Sequence, residues 1–138
     1  MTLDDVICRI ECEELIYRAA RYLDEGALNE HLSLYTPDAK LDFGVGPEIG
    51  LKDWAEMIKT DEVGNRLAAV ALKPRVVSNL LITRTAPETV TARAYVTLPD
   101  ASHGSSRGEW TYELRKTNKG WLISRYKVAG IPASTLQA

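Results

Sequence analysis

The 138-residue sequence is poor in the residues that usually announce a specialised chemistry. It holds two cysteines and two histidines. That is too few for a disulfide framework, and the spacing completes no zinc signature, since Cys8 and Cys12 stand on one predicted helix while His31 and His103 lie in separate segments. A structural pair of core thiols is the simpler reading of Cys8 and Cys12. No run approaches the ~18 apolar residues of a membrane span, and the opening MTLDDVICRIE carries acids where a secretory leader needs bases. A cytoplasmic protein without a membrane anchor is the expectation. There is no excess of one charge either: 17 basic against 19 acidic residues give a net charge of −2, which leaves no electrostatic footprint for nucleic acid or an anionic membrane. The glycine-containing stretch 44–50, GVGPEIG, lacks both the Lys-Ser/Thr ending and the preceding apolar strand of a phosphate-binding loop. What remains as a partner is a small uncharged molecule or another protein.

What is present is the composition of a soluble globular domain, 45% apolar and 26% charged. The length suits one domain, residues 1–138, with a core of its own and no repeat or linker. Thr2-Leu-Asp-Asp5 reads as a capping-box start. After it, Cys8, Cys12, Leu15, Ile16, Ala19 and Leu23 recur with the period of a helix packed on one side. Gly26 supplies a corner, and 27–34 predicts a short helix ending at Tyr35-Thr-Pro, read as a turn. Residues 39–43 alternate as a short strand. A third helix is expected over 51–59, with Trp54, Ala55 and Ile58 on one side, and 60–71 reads as helical turn plus connection. The segments 74–85, 88–98, 105–117 and 121–129 alternate with β-branched and aromatic residues between turns. Helices first and strands last give an α+β class, with N-terminal helices packed in a curved, mostly antiparallel sheet.

Several side chains carry possible chemistry. Tyr17 and Asp24 are seven positions apart on the first helix, which puts phenol and carboxylate on nearly one face, directed toward a cavity. Arg75 and Asn79, four apart on a strand, share a face, and Asn79 alternates with Val77 and Leu81 as a buried amide in need of partners. Trp110, Tyr112 and Leu114 oppose Glu109, Thr111 and Glu113, while Trp121, Ile123 and Arg125 oppose Leu122, Ser124 and Tyr126. His31, among Asn29, Glu30 and Ser33, and His103, in a turn, read as surface or satisfied histidines. Asp42 reads as solvent-facing.

Four stretches together resemble the SnoaL-like branch of the nuclear transport factor 2-like superfamily. They are Leu23-Asp-Glu-Gly26, Tyr35-Thr-Pro-Asp-Ala-Lys-Leu-Asp-Phe43, Arg75-Val-Val-Ser-Asn79 and Gly120-Trp-Leu-Ile-Ser-Arg125. The resemblance spans nearly the whole chain. It implies a cone-shaped α+β barrel of the kind shared by polyketide cyclases, scytalone dehydratase, ketosteroid isomerase and hexachlorocyclohexane dehydrochlorinase. Those enzymes need no cofactor and act on small hydrophobic molecules. The β subunits of ring-hydroxylating dioxygenases, which are mainly structural, share the fold and resemble the opening and the 75–79 stretch.

The resemblance places an acid at Asp24 and usually a histidine four residues before Asn79, where this chain has Arg75. A guanidinium does not serve as a general base at neutral pH, but it neutralises a carboxylate or stabilises an enolate. The implied catalytic set is Asp24 as base, Arg75 as partner and Tyr17 as donor. Asn79, Trp54, Tyr112 and Tyr126 are implied in substrate binding, the two tyrosines as oxyanion donors. The implied function is a lyase, isomerase or cyclase working by acid–base chemistry without cofactor or metal. The alternative is a non-catalytic ligand-binding or dioxygenase β-subunit-like module, in which Asp24 and Arg75 form a structural ion pair. A homodimer through the second face of the sheet is expected in either case.

Overall fold

The computed structural model describes residues 1–44, 46–60, 75–100 and 104–131. The expected connection over 60–71 and the turn bearing His103 lie, apart from Thr60, outside the described residues.

Helix α1 (Leu3–Asp24) begins with the capping box that its sequence spells. Thr2 Oγ1 accepts from the Asp5 amide at 3.1 Å while the Asp5 carboxylate accepts from the Thr2 amide at 3.0 Å, so two otherwise orphaned donors are satisfied reciprocally. The Thr2 backbone bond, with the Thr2 hydroxyl and Arg84 behind it, holds the Asp5 carboxyl down at about 2. At the other end Gly26 takes φ +71°, and the Ala27 amide reaches back to Tyr22 O at 2.8 Å. That reversal closes the helix where an L-residue with a Cβ would be strained. The underside of α1 buries Cys8, Cys12, Leu15, Ile16, Ala19 and Ala20, with Leu23 only half-buried. Both cysteines are free, and burial pushes the Cys12 thiol up, which suits core packing.

Helix α2 is a single turn (Leu28–Leu32), and a two-residue turn, Ser33-Leu34, leads into strand β1 (Tyr35–Asp42). The expected turn at Thr36-Pro-Asp is instead an irregularity inside β1, where its register against the last strand shifts between Tyr35 and Lys40. Proline lacks the amide a regular ladder needs and is accommodated at such a break. A two-residue strand β2 (Ile49–Gly50) pairs with β1 in the stretch read as loop, and helix α3 (Leu51–Ile58) follows, burying Trp54 and Ile58.

Strands β3 (Val76–Ala86), β4 (Thr89–Asp100), β5 (Gly104–Thr117) and β6 (Gly120–Ile131) form an antiparallel meander. The sheet order is β2-β1-β6-β5-β4-β3, with β1 and β6 parallel. The inner face presents Val90, Ala92, Ala94 and Val96 from β4, Trp110, Tyr112 and Leu114 from β5, and Trp121 and Ile123 from β6 to the helices. Small residues on β4 leave room for the aromatic side chains of β5.

Two β-bulges change faces that plain alternation assigns. Between β5 and β6, Ile123 pairs with Leu114 and Arg125 with Glu113, leaving Ser124 as an extra residue whose hydroxyl donates to Glu113 O at 3.0 Å. Beyond the bulge Arg125 is exposed, off the face of Trp121 and Ile123 with which alternation grouped it, and Tyr126 turns inward, as a candidate for the inner side should. In β3 the register against β4 breaks between Ser78 and Leu81, and Asn79 has φ +54°. Asparagine tolerates this left-handed conformation better than most residues. Val77, Leu80 and Ile82 then pack on the core while Asn79 and Leu81 are exposed. The expected burial of Asn79 and its shared face with Arg75 do not hold, because the bulge interrupts the two-residue period.

Candidate functional site

The end of α1 and the start of β3 bring Asp24 to Arg75. The Arg75 guanidinium donates to Asp24 Oδ1, and the Arg75 amide donates to Oδ2 at 3.3 Å, so both carboxylate oxygens accept from one residue. The side chains are only 7% (Arg75) and 12% (Asp24) exposed, which sets this pair apart from the exposed pairs such as Arg18–Glu14 at 56% and 57%. A groove of about 430 Å³ opens over the pair, lined by Tyr17, Ala20, Arg21, Asp24, Glu25, Arg75 and Val77. Tyr17 and Asp24 therefore do share one face of α1. Among the described residues that face borders a groove, with Tyr17 half-exposed on its lip.

Three of the other sequence candidates lie on the inner side of the sheet. Tyr112 and Tyr126 face each other across β5 and β6 with ring centroids 5.2 Å apart. Phe43 lies 5.7 Å from Tyr126 and 5.1 Å from Trp54, so these rings form one aromatic surface, with Trp110 beside both tyrosines. Burial pushes the phenols of Tyr112 and Tyr126 up, while the nearby Arg75 charge opposes the rise in both. They remain protonated donors. Trp54 is 9% exposed, and its indole N–H has no partner among the described residues. Asn79 joins neither group. Asp42, read as solvent-facing, is half-buried at the end of β1 and accepts from the Gly44 amide at 2.8 Å.

His31, read as a surface or satisfied histidine, is 2% exposed. Its Nδ1 lies 2.9 Å from Ala19 O and its Nε2 3.0 Å from the Tyr35 hydroxyl, joining α1, α2 and β1. Burial, with a smaller push from Arg75, lowers its pKa to about 4, against the opposing effect of the Ala19 carbonyl. Tyr35 is likewise pushed up by burial and by the neighbouring Tyr126. This pair was hidden by its polar neighbours Asn29, Glu30 and Ser33. The signal that was available is the spacing Leu28, His31, Leu32, Tyr35, which puts His31 on the apolar side of its turn. Among the described residues no group of three or more His, Cys, Asp or Glu side chains is placed to hold a metal, and no helix is long and apolar enough to cross a membrane.

Among the described residues, helices closed over a curved six-stranded sheet give the chain the cystatin-like fold of NTF2-like proteins. Within it the chain belongs to the SnoaL-like domain family, whose sequence profile matches residues 5–127. No curated protein sequence matches it. Among solved structures it is similar to an NTF2-like protein with a cystatin-like fold from Novosphingobium aromaticivorans, at 22% identity over 96% of this chain and 88% of that one, TM-score 0.70. It is also similar to a protein from the same organism assigned provisionally as a scytalone dehydratase, at 13% identity, 96% and 89% coverage, TM-score 0.74. A third similar structure is the hexachlorocyclohexane dehydrochlorinase LinA type 2, at 14% identity, 94% and 89% coverage, TM-score 0.72. At these identities the likeness is one of fold.

Proposed function

We propose that this protein is a lyase, isomerase or cyclase that moves a proton on a small hydrophobic substrate without a cofactor, with Asp24 as the acid–base group and Arg75 as its electrostatic partner. The observation that carries the reading is the place of the ion pair. It is nearly out of solvent, yet it borders a groove. In such a poorly solvated position, charge on a reacting oxygen is stabilised more strongly than in water. Removal of a proton next to a carbonyl leaves negative charge on the carbonyl oxygen. As Arg75 turns its donors to that oxygen, the Asp24 carboxylate is released to take the proton. The protonated Tyr112 and Tyr126 supply further donors, Trp54 supplies a wall, and Tyr17 stands at the entrance. The dehydratase and dehydrochlorinase names of two structural neighbours, both eliminations, support the lyase type over the others.

The reading of a ligand-binding module without chemistry is favoured by one observation, that both Asp24 oxygens already accept from Arg75. One experiment separates the two. The protein is incubated in deuterated water with cyclic ketones and β-substituted carbonyl compounds, and proton NMR follows exchange and elimination. Turnover by the wild type that falls by ~10²–10⁴ in Asp24→Asn, with unchanged circular dichroism, supports the enzyme. A rate retained in Asp24→Asn removes Asp24 from that role, and an Asp24→Asn protein that unfolds supports the structural pair.

A further inference from the structure

Helix α1 is apolar on two sides. Its underside buries Cys8, Cys12, Leu15, Ile16 and Ala19 in the core. The side turned away from them carries Leu3, Val6, Ile7, Ile10 and Tyr17, each between 38% and 76% exposed. Leu3, Ile10 and Tyr17 recur every seven residues, which at 3.6 residues per turn sets them in one stripe along the outer face, with Val6 and Ile7 beside it. A groove of about 390 Å³ lies on the stripe between Ile10 and Tyr17, bordered by Glu13, Glu14, Arg18 and Arg21. One exposed apolar side chain needs no explanation. Five on one helix face, opposite a face already buried, are the pattern of a contact.

The charges beside the stripe select what covers it. Asp4, Glu11 and Arg18 flank it on one side, and Arg9 and Glu13 on the other. When two copies of such a helix lie antiparallel about a two-fold axis, each flank faces the same flank of the other copy. With the axis beside Glu11, Asp4 comes opposite Arg18 of the second copy, and Arg9 comes opposite Glu13. Symmetry makes each of these attractive pairs twice. Only Glu11 meets its own kind. The stripe is therefore complementary to itself in charge as well as in polarity, and charge of this sort fixes the register of a contact whose affinity is apolar.

We infer that the outer face of α1 docks antiparallel on the same face of a second copy of this chain. Ile7 and Ile10 of the second copy fill the groove between Ile10 and Tyr17, as knobs enter holes. This contact uses the helix and leaves the second face of the sheet free. It also reaches the candidate site, because Tyr17 and Arg21 line both the groove on the stripe and the groove over Asp24 and Arg75. In the antiparallel register the first turn of the second copy's helix, around Leu3, stands against these two residues and completes the lip. The inference rests on the surface of α1 and holds or fails independently of the acid–base reading.

Sedimentation equilibrium of the full-length protein across micromolar concentrations tests it, with circular dichroism to check that each variant is folded. Wild type should sediment as a dimer. Ile10→Asp, which sets two carboxylates close together near the axis, should raise the dissociation constant by about tenfold or more. Arg9→Glu alone puts carboxylate opposite carboxylate, and Glu13→Arg alone puts guanidinium opposite guanidinium, so each should dimerise more weakly than wild type. An equimolar mixture of these two variants should recover the dimer, since each supplies the charge the other lacks. A wild type that stays monomeric overturns the inference and leaves the stripe to a different occupant. A dimer that survives Ile10→Asp unchanged lies on another face, such as the sheet, and overturns it as well. A mixture of Arg9→Glu and Glu13→Arg that associates no better than either variant alone overturns the antiparallel register.

Discussion

Asp24–Arg75 and His31–Tyr35 lie within the field of one guanidinium, yet they are held together by opposite means. The first joins residues 51 positions apart, is ionic, and borders a groove. The second joins residues four apart, is neutral, and lies deeper in the helix–sheet interface. Burial acts differently on the two. A nearly dry ion pair has lost most of its hydration and depends on its partner, whereas a neutral hydrogen-bonded pair costs little to bury once its donors and acceptors are matched. On the reading proposed above, the ion pair beside the groove is where charge would be exchanged with a substrate. The interior fixes shape and hydrogen-bond polarity.

The largest effect on stability should follow from breaking the ionic pair on one side. Arg75→Met keeps much of the side-chain length but leaves Asp24, 12% exposed, without its counter-charge. Removing one partner of a buried pair typically costs about 3–5 kcal/mol. Urea denaturation should show a loss of that size in Arg75→Met. A loss below about 1 kcal/mol would place the pair in the class of exposed ion pairs and erase the contrast with the surface.

The neutral pair should reveal itself through pH. The pKa of His31 falls to about 4 in the folded protein from an ordinary 6.5. Between these values the unfolded chain binds the proton and the folded one does not, so this contribution to stability is complete above pH 6.5. It is lost as pH falls from 6.5 to 4. The shift corresponds to about 3 kcal/mol over that window. Asp5 and Asp38, each held at about 2, lose their own contributions only at lower pH. Denaturation midpoints measured from pH 7 to 4 should fall steeply in wild type and much less in His31→Leu. Parallel curves for the two proteins would mean that His31 is protonated without penalty.

Much of the frame behind this contrast is legible in the residues, because it depends on period and on local chemistry. Thr2 and Asp5 specify the start of α1, Gly26 its end, and alternation specifies Trp110, Tyr112 and Leu114 as an inner face. The pairing of Asp24 with Arg75 is legible only through resemblance, since no spacing links residues so far apart. What period cannot give is its own interruption. Ser124 and Asn79 each sit at a bulge that shifts the register, so Tyr126 turns inward and Asn79 outward. Ser124 does not differ from its neighbours in a way that announces a bulge, and Asn79 offers only the tolerance of an asparagine for positive φ. His31 is the satisfied histidine of the two readings the sequence allows, but its burial is not legible, because a single-turn helix is too short for its apolar side to stand out among polar residues.

The finest comparison is between two tyrosines, Tyr17 on α1 and Tyr35 at the start of β1. Tyr17→Phe removes a hydroxyl from a residue that is 49% exposed at the groove lip, where water replaces whatever the hydroxyl touched. Tyr35→Phe removes the donor from His31 Nε2 inside the protein, leaving an acceptor that water reaches poorly. An unmet buried acceptor costs about 1–3 kcal/mol, while surface changes away from caps and networks stay within about 0.5 kcal/mol. Thermal and urea unfolding should therefore separate the two variants, with Tyr17→Phe matching wild type and Tyr35→Phe clearly weaker. The same variants divide the functional roles: a turnover defect in Tyr17→Phe without any change in stability would assign its phenol to the substrate entrance. Equal, small stability losses in both would mean that water reaches His31 Nε2, and that the interior is less dry than its burial implies.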